Sequence, residues 1–265
     1  MKKNMRGKKI IFLLFLVLII SISIYVIHCF DLVKYIVPIY KLEDRNKEVL
    51  SAKKKYRDEN IVGWIRVQGT NIDYPIIMKS ESMHASFANN LEYSWVNIKP
   101  KEESNYLMVL GHNIRNVSSQ PVIGDSKMRQ FEQLMSYIYY DFNEDNKYIQ
   151  YTFNGKNYLY QIFAITLADS STLDYDVNSY SKEKLKKYIK TAKEESYFDY
   201  DVEVSEEDRI ISLVTCTRFQ GYQYRDFKID AKMIESKNGY NYDVSKKDNY
   251  NEIEGILKGV DDLYA

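Results

Sequence analysis

Apolar positions along this chain repeat in three ways, and each predicts a different kind of element. Residues 10–30 are apolar almost without interruption, with only Ser21, Ser23 and His28 softening the run. That length matches the ~20 residues a helix needs to cross a bilayer. Beyond residue 60 the runs are short and strand-like. Residues 61–67 and 72–77 read as two strands around a turn at Gln68, Gly69, Thr70 and Asn71. Residues 105–110 form a buried strand that ends in Gly111-His112-Asn113, and 147–153 and 157–167 flank Asn154-Gly155. Asn-Gly between alternating runs is the strongest short-range hairpin signal. Residues 210–216 are a buried strand ending at Cys216. After it, Phe227, Ile229, Ala231 and Met233 alternate with Lys228, Asp230 and Lys232 as a strand with one face exposed. Arg225 shares the parity of Phe227, so a strand reaching back that far turns it inward.

Helical spacing occupies the remainder. Met128, Phe131, Leu134, Met135 and Ile138 predict a helix over 126–140. A second spans 181–196, with Ser181 as N-cap and Leu185, Tyr188, Ile189 and Ala192 as its apolar stripe. The charged stretch 41–58 predicts a solvated helix, and 83–101 a loop with a short helix. The stretch 235–265 is polar and tyrosine-containing, and the pattern assigns it no role. The sum is one mainly β domain, a barrel or sandwich with helical additions. Its expected organisation is a basic tail at 1–9, a transmembrane segment at 10–30, a helical linker at 31–59, a globular domain at 60–234 and a polar tail at 235–265.

Composition sharpens this in two respects. Lysine plus arginine equals aspartate plus glutamate at 37 each, so there is no basic excess to hold nucleic acid. The 25 tyrosines favour strands as the framework. Lys2, Lys3, Arg6, Lys8 and Lys9 precede the apolar run, which puts the N-terminus in the cytoplasm and the domain outside. A cleaved signal peptide is the rival reading, but the run is long for one and no small-x-small site follows it.

An exported domain makes cysteine counting informative. Cys29 lies at the end of the apolar run, leaving Cys216 alone in the domain. Exported proteins usually pair their cysteines, so a lone thiol is either intermolecularly paired or chemically active, with a buried, inert thiol as the alternative. Arg225, nine residues on, is placed to stabilise charge near such a nucleophile. Of the three histidines, His28 is in the apolar run and His84 in a loop-like stretch. His112 follows a buried strand and a glycine, where a rim residue on a rigid scaffold is expected; a structural histidine is the alternative. One cysteine and one usable histidine are too few soft ligands for zinc. No phosphate-binding glycine loop and no Gly-x-Ser-x-Gly turn is present.

At these residues the chain resembles the sortase family of Gram-positive surface transpeptidases, and specifically class B. The resemblance rests on Val62-Gly63-Trp64-Ile65 with Gly69-Thr70 and Ile72-Asp73-Tyr74-Pro75-Ile76. It continues through Leu110-Gly111-His112-Asn113, Ser212-Leu213-Val214-Thr215-Cys216 and Arg225, covering about residues 60–234. It implies a closed sortase-type β-barrel and a catalytic triad of His112, Cys216 and Arg225. The helix at 181–196 resembles the class B insertion. The implied partners are surface proteins with a C-terminal sorting signal and an amine acceptor, either a peptidoglycan cross-bridge or a pilin lysine; no cofactor or metal is implied. Ser212 stands where the family usually has threonine, and 83–101 matches loosely, which leaves the sorting motif and acceptor open.

Overall fold

In the computed structural model, residues 2–29, 32–56, 60–78, 94–113, 131–219 and 225–264 are described. Helix α1 (Lys2–Cys29) carries the apolar run, and its Lys9–Ile27 stretch is long and apolar enough to cross a membrane, with mean hydropathy 3.2. A single turn, α2 (Val33–Ile36), leads to β1 (Tyr40–Lys41) and then α3 (Asn46–Tyr56). The predicted linker helix is therefore shorter than its charge pattern suggested. Its first residues pair with a distant strand, and the Asp44 carboxylate then accepts the Asn46 N–H at 3.0 Å to begin the helix. Nor is α3 wholly solvated: Ala52 is buried with Ile61 and Ile77 of the barrel.

The globular body is a closed eight-stranded barrel. Its strands are β2 (Ile61–Val67), β3 (Asp73–Met78), β4 (Ser94–Val96), β5 (Tyr106–Leu110), β6 (Tyr148–Phe153), β7 (Lys156–Asp169), β9 (Ile210–Thr217) and β10 (Arg225–Ile234). The order around the barrel is β10-β7-β6-β2-β3-β4-β5-β9. Closure leaves no free edge to pair with other chains. Antiparallel neighbours dominate, while β3–β4 and β5–β9 run parallel. The Asn154-Gly155 hairpin forms as predicted, both residues at positive φ (51° and 77°), as the favoured two-residue turn requires.

Two stretches differ from the sequence pattern. Over Phe131–Ile138 the chain is a 3₁₀ helix rather than an α-helix, followed by α4 (Tyr140–Asp145); residues 126–130 lie outside the described residues. The apolar steps there (131 to 134, 135 to 138) suit three residues per turn as well as 3.6. Every side chain of the turn is buried, Glu132 and Gln133 included, so no solvent face selects the α form. Within the expected loop 83–101, Ser94–Val96 is a barrel strand, while His84 lies outside the described residues.

Helix α5 (Lys182–Glu195) follows its expected bounds. Ser181 Oγ accepts the Lys184 N–H at 3.3 Å, and Leu185, Ile189 and Ala192 are buried. The chain then continues through β8 (Phe198–Tyr200). After β10 come β11 (Asn238–Gly239), β12 (Val244–Lys246) and α6 (Tyr250–Tyr264). What the pattern left as a polar tail is thus built into the body: β11 pairs with β1, β12 pairs with β8, and Tyr242, Tyr250, Ile253 and Leu257 join the main core. Lys147, 1% exposed, donates to Asn241 Oδ1 at 2.6 Å and to the Tyr242 carbonyl. Burial pushes its ammonium down to about 8.

Candidate active site

β5 and β9 are parallel neighbours in register, with Leu110 beside Val214. Two links carry that register past the strand ends. The Gly111 N–H donates to the Val214 carbonyl at 3.1 Å, and Thr215 Oγ1 donates to the Gly111 carbonyl at 2.8 Å. One step further, the Asn113 main-chain N–H donates toward the Cys216 sulfur. Parallel strands end on the same rim, so His112 and Cys216, 104 positions apart in sequence, are delivered side by side. Gly111 is needed in this approach: a Cβ there would lie 2.3 Å from the Phe131 ring.

The imidazole is held from the other side by Trp95 of β4, with ring centroids 4.7 Å apart and planes tilted by 47°. Such contacts contribute about 0.5–1.5 kcal/mol beyond area burial. Cys216 is a free cysteine reached by solvent. The protein packed around it still pushes the thiol above its ordinary range, with burial as the main cause and the Asp226 carboxylate adding to it. The N–H groups of Asn113 and Cys216 and the charge of Arg218 pull the other way. The balance favours the neutral thiol, so attack by this sulfur needs a neighbour to take its proton.

Arg225 opens β10 on the far side of β9 from His112. It stands opposite Thr217, on the face of the buried Phe227, as its parity predicted. Cys216 is instead opposite Asp226, so Arg225 lies one ladder step off the sulfur's face. Across β7 it faces Asp169, whose carboxyl is lowered first by hydrogen bonds from Ser171 and then by the Arg225 charge. The structure therefore sets His112 and Cys216 on adjacent strand ends and Arg225 at the start of the next strand. Sequence reasoning missed Trp95, Asn113, Arg218 and Asp226. Only Asp226 carried a usable signal, a charged residue on the face of β10 that turned out to be covered. Among the described residues, no cluster of three or more metal-ligating side chains occurs.

An eight-stranded closed barrel presenting a solvent-reached cysteine and a histidine on one rim can be compared with known proteins. No family model matches the chain. It is 24% identical over 185 residues to sortase B of Listeria monocytogenes, a match covering 67% of this chain and 71% of that protein. The X-ray structure of Clostridium perfringens sortase B is 25% identical, with TM-score 0.57, covering 70% of this chain and 100% of that one. The Staphylococcus aureus sortase B–substrate complex matches at 19% identity and TM-score 0.55, over 71% of this chain and 92% of that one, a likeness of fold. Fold and relatives together define a cysteine transpeptidase of the sortase type. In sequence and in fold the chain is similar to class B sortases.

Proposed function

We propose that this protein is a membrane-anchored, extracellular sortase in which Cys216, His112 and Arg225 carry out transpeptidation on proteins bearing a C-terminal sorting signal. The observation that carries this reading is the parallel pairing of β5 with β9, which brings His112 to Cys216 while leaving the sulfur open to solvent. In the proposed cycle the sulfur attacks the carbonyl carbon of a threonine in the signal as its proton passes to His112. The tetrahedral oxyanion is stabilised by Arg225. The C–N bond breaks, His112 returns the proton to the departing amine, and a thioester remains on Cys216. An incoming amine then attacks the thioester, gives its proton to His112, and leaves with the acyl group as a new amide while the thiol reforms.

The Lys9–Ile27 stretch of α1 supports the anchor, and the basic residues ahead of it support a cytoplasmic N-terminus. The acceptor is an amine of the cell-wall cross-bridge, with a pilin lysine as the variant within the same chemistry. Incubating the protein with a panel of sorting-signal peptides and following its intact mass tests this directly. A mass gain equal to the acyl fragment, located on Cys216 and discharged by added amine, is the expected result. A protein that is never acylated, or whose adduct is discharged only by water, defeats it. Cys216→Ala is expected to abolish turnover by at least about 10³-fold, because the covalent step has no substitute, with an unchanged thermal melting profile.

A further inference from the structure

The proposed cycle leaves one buried carboxylate beside the nucleophile without a role. Asp226 is 5% exposed and directly opposite Cys216 in the antiparallel β9–β10 ladder. Facing residues of such a pair have Cβ atoms about 4.5–5.5 Å apart and point to the same side. Asp226 therefore shares one face with the sulfur. On that face the carboxylate accepts a hydrogen bond from the Tyr175 hydroxyl, which also lies 3.2 Å from the Ser170 carbonyl. Tyr175 belongs to the stretch that joins β7 to α5, so this bond fastens that connection over the nucleophile's strand.

An anion next to a nucleophilic thiol opposes thiolate formation, the reverse of what a simple activating site would contain. Among the described residues, the polar groups around the sulfur are these. Asp226 comes from β10, Tyr175 from the β7–α5 connection, Arg218 from the exit of β9, and His112 with the Asn113 N–H from the end of β5. Arg225 lies on the alternate face. Of these described groups, Asp226 is the one anion, and its carboxylate accepts a hydrogen bond from a tyrosine.

We propose that Asp226 is a positioning residue of this active site, whose carboxylate holds Tyr175 and its connection against the nucleophile's strand and whose charge opposes ionisation of Cys216 in the resting enzyme. The sulfur then gives up its proton to His112 only as it attacks, and the free thiol is protected from stray electrophiles outside the cell. The proposal deepens the reading of Cys216 as nucleophile and rests on it.

The test is the rate of iodoacetamide alkylation of Cys216 in the full-length protein against pH, which needs no substrate. Removing an anion that raises the thiol must move the midpoint down. Asp226→Asn is expected to lower it by about half to one pH unit, with alkylation at pH 7 about 3–10-fold faster. Asp226→Thr, which keeps an acceptor for Tyr175, carries the same expectation should the first variant not fold. Tyr175→Phe keeps the charge, so its midpoint is expected to stay or rise, while KM for an acylating peptide increases several-fold with little change in kcat. An unchanged or higher midpoint on removing the Asp226 charge overturns the electrostatic role, and an unchanged KM in Tyr175→Phe overturns the positioning role. A wild-type sulfur inert to alkylation sinks the nucleophile reading itself, and this proposal with it; lack of acylation by every peptide leaves the alkylation arm decisive.

Discussion

Strand β10 carries two aspartates on one face, four residues apart and both opposite β9, in very different settings. Asp230 stands opposite Ser212 and has no exposure. It accepts hydrogen bonds from Ser212 and, at 2.6 Å, from Tyr188 of α5, and its second oxygen meets Lys228 Nζ at 3.1 Å as an ion pair. Burial opposes the Lys228 charge, but Asp230 prevails and holds that ammonium above its ordinary value. Asp226, near the rim, has one tyrosine partner and faces a thiol. Depth separates the two. Under α5, where water does not reach, every charge must be matched or the fold suffers. At the rim, where the sulfur opposite Asp226 is open to solvent, a mismatched charge can act on its neighbour's chemistry.

The sharpest way to break this comparison is to empty the deep position. Asp230→Ala strands Lys228 as an unpaired buried cation and is expected to cost about 3–5 kcal/mol, read as a fall in the denaturant midpoint. A loss below about 1 kcal/mol would mean that water reaches this pair and that depth is not the difference. At the rim the corresponding charge removal, at Asp226, is expected to move the thiol's pH profile far more than the melting temperature. Arg225→Lys comes next in size. A point charge does not reproduce the guanidinium's planar fork, so turnover should fall about 10²–10³-fold, the scale of losing one oxyanion donor. Near-normal turnover would remove Arg225 from the proposed site and turn attention to Arg218, whose charge acts on the sulfur. Smallest is Ser181→Ala, which deletes the cap that starts α5 and should cost about 1 kcal/mol. A larger loss there would show that the helix carries the buried network rather than resting on it.

Much of the barrel was legible because its signals are local. The Asn154-Gly155 turn, the alternation after Arg225 and the apolar run ending at Cys216 each specify an element from adjacent residues alone. The 3₁₀ turn at Phe131–Ile138 was not legible, because apolar residues three apart serve both helix types and only the enclosure around them decides. Strand β4 is three residues long and has too little pattern to read. The polar stretch after β10 contains the buried Tyr242 and Tyr250, but tyrosine is equally at home on a strand surface, so its burial left no mark in sequence.

The site divides along the same line. A lone thiol at the end of a buried strand, a histidine after a glycine, and an arginine of inward parity are facts of order and spacing, and these the sequence by itself determined. Which residues stand across from one another is a fact of register, and only the closed tertiary structure decides it. Two strands 104 positions apart become parallel neighbours because burial on both faces and the pairing of main-chain groups permit one alignment. The antiparallel register of β9 with β10 in turn puts an aspartate, rather than the neighbouring arginine, opposite the sulfur.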